Sequence, residues 1–115
     1  MSYMLLIVER VGQRRERSDE EGRALYQRML DYAAELTHRG LLEASNSLAS
    51  PAVRVSKANG RMQQLDGPFA EAKEFVGGFF LLRSATRDEA LALARECPAA
   101  EWATVEVRAV GPCYE

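Results

Sequence analysis

The sequence predicts one α+β domain in which a β-hairpin separates two β-α-β units, and three observations carry that expectation. Ser18 and Glu21, and again Thr86 and Glu89, have the three-residue spacing of a capping box, each at the head of a segment with helical periodicity. Residues 3–8 and 75–82 are the two most apolar runs, as befits strands at the centre of a sheet. Asn59-Gly60, set between alternating segments, is the dipeptide a two-residue hairpin favours, because both positions need positive φ. At 115 residues the chain has the length of one domain. It can bury a little over ~60% of the surface its unfolded form exposes, so it can fold without staples.

Residues 1–9 read as the first strand, apolar on both faces from Tyr3 to Val8. A polar, mobile connection opened by Gly12 fills residues 10–17. The first helix starts at Ser18 and runs to about Arg39. Leu25, Met29, Tyr32, Ala33 and Leu36 recur at three- and four-residue spacing and form its buried stripe. Gly40 stands where a left-handed C-terminal cap belongs, and His38 and Arg39 suit the negative end of the helix dipole. Residues 41–48 form a more polar edge strand, broken by Ser50-Pro51. In the hairpin, Val53 and Val55 alternate with Arg54 and Ser56, and residues 61–65 return. From Asp66 the chain reads as a loop, with one helical turn at residues 70–74. Residues 75–84 are the second apolar strand, where Gly77-Gly78 marks a bulge or a close backbone approach. A second helix runs from Thr86 until Pro98 ends it, and residues 104–110 alternate as the last strand.

Two split β-α-β units give a ferredoxin-like sheet, with its two apolar strands in the middle and both helices on one face. The other face is then apolar and uncovered, which on a small domain calls for a partner. A second copy of the chain is the economical one. The expected assembly is a homodimer packed sheet to sheet.

Charge and cysteine usage exclude several functions. The net charge is −2, with 15 Lys and Arg against 17 Asp and Glu, interspersed along the chain. The one basic cluster, residues 13–17, is diluted by Glu16 and by residues 19–21, so direct nucleic-acid binding is not expected. Cys97 and Cys113 lie far apart and there is one histidine, which gives neither a metal-ligand set nor a disulfide framework. No cofactor is expected, since Gly67, Gly77 and Gly78 lack the spacing of a phosphate-binding loop. The apolar run at residues 3–8 is far below the ~20 residues a bilayer span takes. With no basic leader or cleavage site, the expectation is a cytoplasmic protein without a membrane partner.

The run Asp66-Gly67-Pro68-Phe69-Ala70-Glu71-Ala72-Lys73-Glu74, followed by Gly77-Gly78-Phe79, resembles the DGPF-domain branch of the YCII-related proteins. Tyr3-Met4-Leu5-Leu6-Ile7, Gly40-Leu41-Leu42, residues 88–99 and Val105-Glu106-Val107-Arg108 extend the resemblance over the whole chain. It implies a ferredoxin-like domain paired as a homodimeric α/β barrel. It also implies a His–Asp acid–base pair in the YCII branch, lyase- or dehalogenase-like roles in some relatives, and a genomic association with extracytoplasmic-function sigma factors. Members commonly carry that histidine on the first helix, eleven residues before the glycine that follows it. Here the position is Met29, which neither titrates nor donates a proton. His38, nine residues on, falls on roughly the opposite side of the helix at ~100° per residue.

Asp66 is the candidate catalytic residue, a general base or ligand-orienting carboxylate beside a dimer cavity. Its plainer role is to accept backbone N–H bonds in the Gly-Pro turn. Tyr26, Met29, Asp66 and Lys73 are the candidate ligand contacts, around a pocket between the sheet and the first helix. Three functions compete: binding of a small ligand at a dimer-associated pocket, a regulatory module acting with such a sigma factor, and a weak acid–base enzyme using Asp66. Glu106 and Arg108 read as a structural ion pair and Cys97 as an inert thiol.

Overall fold

Four antiparallel strands form the platform of the molecule, in the order β2-β5-β1-β6. The computed structural model describes residues 2–83 and 86–114. Its platform strands are β1 (Tyr3–Arg10), β2 (Leu42–Ser47), β5 (Glu74–Leu82) and β6 (Thr104–Ala109), with α1 (Asp19–His38) and α2 (Arg87–Glu96) as the connecting helices. The two apolar runs are the central pair, and the polar strand β2 lies at an edge. This α+β arrangement of two helices and antiparallel strands is compatible with the ferredoxin-like expectation. The sheet is open, however, and does not close into a barrel within one chain. Met1 and Ser84, which the sequence assigns to strands, lie outside the described residues.

Side-chain alternation sorts the platform into two faces. Leu5 and Ile7 of β1, with Phe80 and Leu82 of β5, meet Tyr32 and Leu36 of α1 and Ala90, Leu93 and Ala94 of α2 in one core. The Tyr32 ring stands edge-on to Phe80, centroids 5.2 Å apart, and its hydroxyl donates to the Leu93 carbonyl at 2.6 Å. That bond ties α1 to α2 across the core. Met4, Leu6 and Val8, paired with Leu81, Phe79 and Val76, occupy the opposite face, which neither helix covers.

Local sequence chemistry explains where the helices stop. Both capping boxes are complete: Ser18 and Thr86 accept from the backbone N–H of Glu21 and Glu89, whose carboxylates bond back to the cap N–H groups. Gly40, at φ 72°, takes the left-handed conformation that ends α1. Pro98 both ends the second helical segment and opens a 3₁₀ turn over Pro98–Glu101.

Three local expectations are corrected. The connection after β1 is ordered as a 3₁₀ turn over Gln13–Glu16, because Arg10 pairs with Glu16 and Arg14 reaches back to Glu9. In place of a helical turn over residues 70–74 there is one reverse turn over residues 69–72, closed by Ala72 N–H on the Phe69 carbonyl at 3.1 Å, before β5 begins at Glu74. Asp66 is the last residue of a strand, not the first of a loop.

The hairpin is its own two-stranded sheet, β3 (Val53–Ala58) and β4 (Arg61–Asp66), turning at Asn59 (φ 51°) and Gly60 (φ 76°). It is exposed almost throughout and projects from the body. The radius of gyration is accordingly 16.0 Å, against roughly 13 Å for a compact chain of this length.

Candidate functional site

A cleft of about 410 Å³ opens between α1 and the ends of β1, β2 and β5. Ile7 and Phe80 line its core side, and Tyr26, Met29, Leu30 and Ala33 of α1 form one wall. Ser45, Asn46 and Ser47 of β2 bring polar groups, and Trp102 closes one end. An apolar concavity with a few convergent polar groups is the usual form of a small-molecule site.

The electrostatic centre of the cleft is Glu9, which is only 5% exposed. Arg14 meets it with two bonds, Nε to Oε1 at 3.0 Å and a terminal nitrogen to Oε2 at 2.7 Å. The same guanidinium donates to the Leu48 carbonyl at 2.7 Å and the Gly77 carbonyl at 3.2 Å, and stacks over Phe75 at 5.1 Å. One side chain thus fastens β1, the end of β2 and β5 together. The geometry depends on Gly77, where a Cβ would run into the Glu9 carboxylate. Gly77 is the bulged residue at which the β1–β5 register shifts, and Gly78 faces the Asn46 carbonyl at the limit of close approach. The glycine pair therefore serves both purposes expected of it.

The structure brings together two of the four sequence-derived contacts. Tyr26, half exposed, and Met29, packed against the core, both line the cleft. Asp66 and Lys73 do not. Asp66 ends β4 opposite Val53, is exposed, and shows no side-chain hydrogen bond among the described residues. In the single chain Asp66 does not line this cleft, and among the described residues its carboxylate accepts no backbone N–H of the turn. The turn is held instead by Gly67 N–H on the Ala52 carbonyl at 2.8 Å, so close that a Cβ on Gly67 would stand 2.9 Å from that oxygen. Lys73 is exposed and contributes its carbonyl, which accepts from Val11 N–H at 2.9 Å.

His38 lies exposed at the end of α1, and Arg39 is the capping residue. Burial pushes the Cys97 thiol up from its ordinary value, so it is no nucleophile. Arg108 pairs with Glu106 on its own strand at 2.7 Å. No cluster of metal-binding side chains occurs among the described residues, and none of the described helices is long and apolar enough to cross a membrane. A second groove beside Arg28, Asp31, Glu35, Arg39 and Glu96 has both its arginines already paired, Arg28 with Glu101 and Arg39 with Glu96, and reads as a solvated face.

Sequence reasoning missed Glu9 and Arg14. A signal for Glu9 was present, since it continues the Leu5, Ile7 alternation and so points at the helices with the core residues. A charge on a core face demands a partner. Which arginine of residues 14–17 supplies it depends on the fold of the connection. Residues 1–113 match the family model described as the YCII-related domain, and no curated protein matches the chain.

Proposed function

The chain belongs to the YCII-related family, and on that premise we propose that it binds a small molecule in the cleft between α1 and the sheet. One observation carries the reading: an apolar concavity within one chain, lined by Tyr26 and Met29 and by the buried Glu9 with its half-buried partner Arg14. Met29 stands at the position of the family histidine, and the one carboxylate in the cleft is already held by two guanidinium bonds. Those residues favour binding over acid–base turnover. The Asp66 to Phe69 motif supports membership of the DGPF branch.

We also propose that the working unit is a homodimer. Met4, Leu6, Val8, Phe79 and Leu81 form an uncovered apolar sheet face, and Val53, Val55 and Met62 an exposed apolar face of the hairpin. Surfaces of this kind on a small domain are suited to a second copy.

Gly22 provides the test. It lines the cleft on α1, and a Cβ there meets nothing within 4 Å, so Gly22→Phe begins in open space and adds bulk to the cleft wall. A fragment screen by protein NMR should find binders that shift the amides of Met29, Ser45 and Gly78 and lose at least tenfold in affinity in Gly22→Phe. A screen whose binders ignore that substitution refutes the reading.

A further inference from the structure

The charges that line the cleft do not balance. Among the described residues Glu9, Arg14 and Arg17 are its ionised lining, one negative and two positive, which leaves one positive charge in a chain whose net charge is −2. Arg14 is committed, with all three guanidinium nitrogens bonded to Glu9, Leu48 and Gly77. Arg17 is different. It is half-buried on the rim, and among the described residues its side chain has neither a hydrogen bond nor a carboxylate within 4 Å. The acidic neighbour that feels it, Glu21, has its own carboxylate bonded to the Ser18 N–H in the capping box. A guanidinium kept from full hydration beside apolar surface, with no partner of its own, is a site for an anion.

Resting on the proposed binding cleft, we propose that its ligand is a small organic carboxylate, with the anion on Arg17 and the apolar body against Met29, Leu30 and Trp102. The guanidinium fork matches a carboxylate with two parallel bonds, which fixes the orientation as well as the charge. Tyr26 lines the same cleft, and its hydroxyl adds a hydrogen-bond donor for a bound anion. One unbalanced charge fits one acidic group, and leaves a polyphosphate without compensation. A cleft of about 410 Å³ falls in the range that holds a small organic molecule.

The test uses matched pairs on the intact protein: benzoate with benzamide, and hexanoate with hexanamide, titrated by NMR at low salt, with inorganic phosphate as a third arm. The acids should shift the amides around Arg17, Met29 and Gly78 and bind at least tenfold more tightly than the amides. Arg17→Gln should erase that difference, whereas Arg15→Gln, an exposed arginine two residues away, should keep it. Raised salt should weaken the acids and leave the amides unchanged. Equal binding of acid and amide overturns the charge inference and leaves the cleft reading standing, provided Gly22→Phe still removes both. Phosphate binding as tightly as benzoate overturns the apolar part. Cleft amides that respond to no member of any pair overturn both the inference and the cleft reading.

Discussion

At the scale of single residues, the Glu9–Arg14–Gly77 group decides how the cleft is built. A methyl group at Gly77 has no free space to enter, so Gly77→Ala should destabilise the protein by about 1–3 kcal/mol, the range of overpacked sites. Urea titration measures it, and a cycle with Glu9→Ala separates causes. Removing the Glu9 side chain should make the Gly77→Ala penalty smaller, because the two share one space. Equal penalties in both backgrounds would mean that the glycine is needed for something else. A second residue-scale prediction concerns alkaline pH. Burial pushes the Tyr32 phenol and the Cys97 thiol above their ordinary values, so the folded chain holds these protons more tightly than the unfolded one. Their contribution is complete below the ordinary values and is lost as pH climbs past them, about 8.5 for a thiol and 10 for a phenol. The urea midpoint should fall between pH 8 and 10.5. Tyr32→Phe with Cys97→Ala should flatten that fall, while the lost Tyr32 bond to Leu93 costs about 1 kcal/mol at neutral pH.

At the scale of elements, local rules were most legible where they acted alone. Ser18-Glu21, Thr86-Glu89, Gly40 and Asn59-Gly60 each did what a cap or turn residue does, because their partners lie within a few residues. Ser18→Ala should accordingly cost about 1 kcal/mol, read from the urea midpoint, with α1 otherwise intact. Reading by alternation failed where the period itself breaks. In β5, Phe80 and Leu82 face the helices, yet beyond the bulge Phe75 takes that side, paired with Glu9, and Val76 the other. A strict period of two would have exchanged them. The connection at residues 13–16 was illegible for another reason. Its order comes from Glu9 and from two backbone carbonyls distant in sequence, which no local pattern records.

At the scale of the whole molecule, the sheet order and the uncovered face followed from hydrophobicity, whereas the location of the hairpin did not. Hydrophobic runs state which strands are central. They do not state that a third of the strands will stand apart from the body, and so Asp66 and Lys73 were drawn into a pocket they do not line. The proposed dimer is checked by sedimentation velocity: the protein should sediment at twice the chain mass, and Leu6→Glu, a charge on the uncovered face, at the mass of one chain. A monomer at all concentrations in the parent protein would refute the pairing. The projecting hairpin carries a consequence for how such chains diverge. Its ladder is joined to the body at one end only, so its turn can accept insertions that never reach the core. Those changes come in steps. One added residue on each strand lengthens the ladder by ~3.3 Å and turns the tip over, and two on each strand lengthen it by ~7 Å with the faces restored. Viable length variants of this chain should therefore be spaced in multiples of four residues at Asn59-Gly60, the step that restores the kind of closing pair and the facing of its two-residue turn, while Val53, Val55 and Met62, on the body side of the turn, keep their faces at every length.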